Sequence, residues 1–367
     1  MINLLGIFIR SFGISFLSED MNGCLIPWYN SMKIGGVTAL KEQIGDYNTL
    51  YQTIIALMTY FNIDCIVLYK VLSILFDYIM AISIALFVSK VTKNKVLGIQ
   101  FNIIYGAVLL LPIVVLNSSY WGQCNSIYST FLVLTLFFMY DKKYAYAFVM
   151  LGLGFAFKLQ MIFILPFIVC YYLCSRKFSM IYIGISIITF WFSGIIAFIN
   201  GRNLLAPFII YSKQTTSYES MYLNFPNFWV LLGDDYNDLK RFAIIFTVAL
   251  LGMGLYIILS KKIEMDSCEV YVSIAVGSIW TCLMFLPAIH ERYSYPLDVL
   301  LLILGCLNRK YLKFAIISIM LSIITYGHYL FATEGSLQYC AVVYVLMYMK
   351  YIGMLLNNDT KAQEGEI

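Results

Sequence analysis

The chain has little of what most polar chemistry uses. Charged residues fill 12% of its 367 positions, about half the ~25% usual for soluble domains. Histidine occurs twice, at His290 and His328, which leaves a histidine-rich metal centre almost no material. The nine cysteines are scattered and form no C-x-x-C pair, so neither a zinc ribbon nor a dithiol redox motif is indicated. No basic stripe interleaves with aromatics, which argues against nucleic acid as a partner. The N-terminus has neither a basic n-region nor an A-x-A cleavage site. It reads as a short first span, with room for residues upstream, and not as a signal peptide.

Apolar residues are abundant instead, at 61% of the chain with a mean hydropathy of +0.82. The expected class is an integral membrane protein. Its length leaves room for roughly ten to thirteen spans of ~17–25 residues. The 30 Tyr and 27 Phe suit helix–helix packing and interfacial belts. Apolar runs lie at 2–17, 62–88, 96–116, 122–140, 143–157, 159–174, 178–199, 241–260, 269–287, 291–307, 311–331 and 336–353. They predict an all-α polytopic fold of about twelve transmembrane helices. A single domain over 1–353 and a short cytoplasmic tail over 354–367 are expected.

Charge placement orients these runs. Basic residues follow every even-numbered run: Lys90, Lys93 and Lys95, then Lys142 and Lys143, then Arg176 and Lys177. Further on come Lys261 and Lys262, then Arg309, Lys310 and Lys313, and finally Lys350 and Lys361. The positive-inside rule assigns these exits, and both termini, to the cytoplasm. The opposite face then holds 18–61 as a first extracytoplasmic loop and 200–240 as a second large one. It also holds the short segments 117–121, 287–292 and 332–335.

Candidate chemistry gathers on that face. The interval 18–61 carries Glu19, Asp20, Glu42 and Asp46. A carboxylate partly desolvated at membrane depth can act as a general base, whereas a turn aspartate often only caps its own backbone. Pro27-Trp28-Tyr29 reads as an interfacial anchor, and Gly45-Asp46-Tyr47-Asn48 as a turn into the apolar segment 50–61. Trp121, Gly122, Gln123 and Asn125 interrupt two spans with groups suited to sugar hydroxyls, although a tryptophan there also fits an interfacial belt. Lys158 and Gln160 lie between apolar runs, where a charge ordinarily faces a cavity or a partner. His290, Glu291, Arg292 and Tyr293 open a span. Arg292 suits phosphate oxygens and His290 can donate or titrate, while the plainer reading is a Glu291–Arg292 salt-bridge cap. Lys70 and Asp77 share one helix face and read as a buried pair or packing contact. Asp234 and Asp235 read as solvated surface.

These motifs, in order along nearly the whole chain, resemble the GT-C superfamily. The likeness is to bacterial relatives of the second mannosyltransferase of GPI-anchor biosynthesis. It runs through Asp20 with Pro27-Trp28-Tyr29, Gly45-Asp46-Tyr47-Asn48, Trp121-Gly122-Gln123 and Phe157-Lys158-Leu159-Gln160. His290-Glu291-Arg292-Tyr293 closes it and is its most specific motif. The resemblance implies a glycosyltransferase of the bacterial plasma membrane, using a polyprenyl-phosphate sugar donor and a saccharide acceptor amid membrane lipid. It implies Asp20 as catalytic base with Asp46 as second acid. Two departures stand out: Asn125 where many relatives have Asp, and Thr49-Leu50 where a double proline is usual.

The expected reaction is inverting transfer of a hexose, mannose among the candidates, at the extracytoplasmic face. Arg292, His290 and Lys158 would hold the donor phosphate. Trp121, Gln123, Asn125, Gln160, Glu291 and Tyr293 would contact substrate. No cofactor is required and no metal ligands are assigned, with an acidic pair and a divalent ion as the variant. The alternatives are a polysaccharide polymerase or ligase, or a transporter of lipid-linked saccharide. A transporter should show two similar halves and ionisable groups at the bilayer midplane, and no internal repeat is visible here.

Overall fold

A computed structural model of the chain describes residues 1–364. It is all-helical apart from one pair of two-residue strands. The region expected as one domain packs as two compact units, Met1–Met161 with Met180–Tyr218, and Ile162–Ser179 with Glu219 onward.

The first unit begins with α1 (Ile2–Ser11), α2 (Ile26–Gly35), α3 (Thr49–Met58) and α4 (Cys65–Val91). It continues with α5 (Ile99–Leu109), α6 (Pro112–Val115), α7 (Asn125–Tyr140) and α8 (Tyr144–Phe157). The chain then passes through a 3₁₀ stretch, Leu159–Ile164, into α9 (Leu165–Ser175) of the second unit. It returns to the first as α10 (Ile181–Phe192), α11 (Ile195–Ile199) and α12 (Ala206–Gln214). The second unit adds β1 (Tyr222–Leu223), α13 (Tyr236–Ser260), α14 (Cys268–Phe285) and β2 (Ile289–His290). It ends with α15 (Tyr295–Leu307), α16 (Leu312–Phe331) and α17 (Leu337–Glu364).

Among the described residues, five helices are long and apolar enough to cross a membrane: α4, α13, α14, α17, and α16 with its preceding 3₁₀ turn. The segments Ile99–Leu109 and Pro112–Trp121 make a sixth if counted as one span bent by 52°. Pro112 explains that bend. It holds Leu111 in an extended conformation, and its ring removes a backbone donor from the helical ladder. The other six apolar runs give shorter helices. The run 2–17 is helical only to Ser11, and 178–199 breaks at Ser193-Gly194 between α10 and α11. The expected tail, 354–367, continues α17 as far as Glu364. Residues 365–367 and the side chain of Lys361 lie outside the described residues.

Burial divides the long helices. In α14, 83% of the apolar window is buried, against 17% in α13. Phe242, Ile245, Val248 and Tyr256 of α13 are all exposed. A helix that is apolar all round and bare over most of its surface is at home in hydrocarbon.

The interval 18–61 is not the open loop its polarity suggested. It folds into a π-helical turn (Met21–Leu25), α2, a 3₁₀ turn (Gly36–Lys41) and α3. Asn48 caps α3, its Oδ1 accepting the Thr49 N–H at 2.7 Å. Tyr51 and Ile55 of α3 are buried in one apolar cluster with Tyr69 and Phe157. Trp28, expected as an interfacial anchor, lies against Gly45 and meets Tyr47 edge-on at 5.5 Å.

Candidate functional site

Asp20 sits at the head of the π-helical turn, yet its side chain caps no backbone N–H there. Its Oδ2 instead accepts two hydrogen bonds, from Trp121 Nε1 at 2.8 Å and from Gln123 Nε2 at 2.6 Å. Trp121 and Gln123 are buried, while Asp20 is half-buried. Gly122 makes the approach feasible. It adopts a left-handed φ of 76°, and a Cβ there would fall 2.5 Å from Met21 Cε. Only glycine takes that conformation and that proximity at no cost. Tyr47 extends the group by donating its hydroxyl to Gln123 Oε1 at 3.1 Å. Two residues expected to contact substrate, Trp121 and Gln123, therefore orient the expected base. A half-buried carboxylate held by two fixed donors can take a proton from a hydroxyl brought within hydrogen-bond reach.

The segment leading to Asp20 is anchored from beneath. Lys70 of α4 donates to the carbonyls of Gly13 at 2.7 Å, Ile14 at 3.1 Å and Phe16 at 2.5 Å. Ser18 Oγ donates to the Trp121 carbonyl at 3.1 Å, which ties the same segment to the 121–123 turn. One turn pair further along α4, Asp77 does not pair with Lys70 as expected. Arg10 of α1 forms the ion pair at 2.8 Å, and Ser118 Oγ donates to the same carboxylate at 2.5 Å. Arg10 and Asp77 are 1% and 0% exposed, so the pair is a buried one, with its bonds falling on Oδ2 of the aspartate.

Lys158 caps the C-terminal end of α8 in an extended conformation. Its ammonium donates to Asn125 Oδ1 and lies 5.6 Å over the Tyr128 ring. Both residues are buried. The structure thus joins Asn125, at the start of α7, to the cation the sequence had singled out. Gln160 is half-buried with its Oε1 out of reach of any hydrogen-bond donor among the described residues.

Asp46 is placed differently from Asp20. It is exposed, its backbone carbonyl accepts Gln214 Nε2, and it borders a cavity made with residues 201–217. Arg202, absent from the sequence expectations, organises this wall. It donates to the carbonyls of Leu40 at 2.8 Å and Glu42 at 2.5 Å, and to Oε1 of Gln43 and Gln52, both at 2.8 Å. Burial lowers the guanidinium's pKa, and the Glu42 carboxylate pulls it partly back. Its signal in the sequence was a lone arginine between Gly201 and Asn203 after an apolar run.

In the second unit, His290 belongs to β2, which runs parallel to β1 with Leu223 opposite it. Its ring meets Tyr293 at 5.1 Å. Glu291 is fully buried and accepts Arg292 Nη1 at 3.1 Å. The salt-bridge reading of these neighbours therefore has its contact. Asp234, expected as solvated surface, is exposed, and it accepts the Ser220 hydroxyl at 2.8 Å and the Met221 N–H at the entry to β1.

No protein-family model matches the chain, and no curated protein matches it either.

Proposed function

We propose that the chain is an integral-membrane glycosyltransferase of GT-C type, with about twelve spans in all and both termini in the cytoplasm. It moves a hexose, mannose among the candidates, from a polyprenyl-phosphate donor to a lipid-linked or surface-polysaccharide acceptor. The reaction takes place at the extracytoplasmic face of a bacterial plasma membrane. The observation that carries this reading is the carboxylate of Asp20, half-buried and held between Trp121 and Gln123.

In this reading Asp20 takes the proton of the acceptor hydroxyl as its oxygen attacks the anomeric carbon. The bond from that carbon to the phosphate oxygen breaks, and polyprenyl phosphate leaves with inversion. Negative charge grows on the phosphate, where a fixed cation lowers the barrier more than it would in water. Lys158 is the cation of the first unit assigned to this task. In the second unit, His290 and Arg292 keep the phosphate role that their chemistry suits. Asp46, the second acid, supports the acceptor.

The test is transfer by the purified chain, supplied with radiolabelled polyprenyl-phosphate hexoses and a mixed pool of lipid-linked acceptors. The same chain in liposomes is assayed for translocation of lipid-linked saccharide. Transfer supports the enzyme. Translocation without transfer from any donor replaces it with a transporter.

A further inference from the structure

A cavity of about 410 Å³ opens wholly within the first unit, between the 41–46 stretch and residues 201–217. That volume falls in the range of about 300–1,000 Å³ typical of small-molecule sites. Its wall is built in advance. Arg202 is 7% exposed and spends its donors on Leu40, Glu42, Gln43 and Gln52. Gln43 Nε2 in turn holds the carbonyl of Gly45 at 2.5 Å. Across the opening, Gly201 takes a φ of 94°, and the stem of Lys41 passes within 3.7 Å of where its Cβ would be.

The charges on this lining select the ligand. The lining carries Lys41 and Lys213 together with Glu42 and Asp46, two cations and two acids, while the Arg202 guanidinium is already engaged. An anion would meet both carboxylates and a cation both ammoniums. A hydroxyl can accept from an ammonium and donate to a carboxylate, so a polyol satisfies both kinds of group at once. Ala206, Ile209 and Ile210 supply an apolar floor for the C–H face of a ring. We infer that this cavity binds a neutral sugar residue. Resting on the glycosyl-transfer reading for its role, that sugar is part of the acceptor. The link to Asp20 is short, because Asp46 adjoins Tyr47, whose hydroxyl reaches the Gln123 that holds Asp20.

The experiment titrates the full chain, in a detergent without a sugar head group, with a neutral hexose disaccharide. A second titration uses the matching disaccharide in which one hexose is a hexuronate. Two variants are compared with wild type: Ser217→Trp, which fills the cavity from an exposed position, and Asp46→Ala. Saturable binding of the neutral disaccharide is expected, at least tenfold weaker in both variants. No saturable binding of the neutral sugar, equal binding in Ser217→Trp, or tighter binding of the hexuronate overturns the assignment. Neutral-sugar binding with this profile in a chain that transfers nothing leaves the site standing and removes the enzyme. Transfer without such binding does the reverse.

Discussion

The Asp20 carboxylate accepts the indole N–H of Trp121 at 2.8 Å, across 101 residues of sequence. The bond brings the end of the first apolar run to the end of the Pro112–Trp121 segment, and it holds the base in one orientation. Trp121→Phe keeps the buried ring and removes only the donor. A hydrogen bond to a charged group is worth about 1.5–3 kcal/mol, so transfer should fall by about 10- to 100-fold. The unfolding temperature should change little. Steady-state rates beside a thermal melt separate the two effects. An unchanged rate means the indole serves only packing.

The Arg10–Asp77 pair should behave as a buried lock. Removing one partner, as in Asp77→Leu, leaves an uncompensated charge and should cost about 3–5 kcal/mol. The double change Arg10→Met with Asp77→Leu should recover most of that loss, because an apolar pair of similar volume needs no desolvation. Melting of the three proteins in one detergent decides it. A double variant as unstable as the single one would show that the bonds from Arg10 to the carbonyls of Gly6 and Leu109 matter more than the ion pair.

Much of this arrangement was legible in the sequence, and the rest fails for identifiable reasons. The run 62–88 became α4 nearly as drawn, because a long and mostly apolar stretch between Asp64 and Lys90 leaves a helix little choice. Asp20 was singled out as the base and Trp121 and Gln123 as contacts with substrate, each separately. A sequence does not show that Gly122 folds the last two back onto the first. Lys70 and Asp77 were expected together because they share a helix face. Each found its partner on the chain before α2, a pairing that helical periodicity cannot express. The 18–61 interval read as a loop because its polar residues are conspicuous, whereas Tyr51 and Ile55 bury α3 in the core. Arg202 was missed because a lone arginine after an apolar run does not show which carbonyls and glutamine side chains it will meet.

Asn125 and Lys158 make a third test. The lysine is buried against the amide oxygen of Asn125, so Asn125→Leu removes that acceptor and should cost about 1–3 kcal/mol. Asn125→Asp should be tolerated, since it turns an ion–dipole contact into an ion pair at the same site. Expression level and melting temperature report the order: wild type and Asn125→Asp together, Asn125→Leu below. A folded, fully stable Asn125→Leu would show that the contact does not hold the ammonium.

Asp141, in the turn after α7, predicts a pH dependence. Burial raises its pKa, but the hydrogen bonds from Lys90 and Lys143 outweigh that effect and bring it below the ordinary value. A lowered folded-state pKa means stability that is present above the unfolded value, about 4 for Asp, and lost as pH falls through the folded one. Melting temperature should therefore decline from about pH 4 downward, and less steeply in Asp141→Asn. Equal slopes in the two proteins would show that this cluster contributes nothing measurable, as exposed pairs often do.

The most direct measurement is the initial rate of sugar transfer by Asp20→Asn at saturating donor and acceptor, beside wild type. The amide keeps the size of the side chain and loses the base. A general base contributes about 10²–10⁴-fold, and a loss of that size with an unchanged melting temperature is the expected result. A rate equal to that of wild type contradicts the assignment of Asp20 as the base.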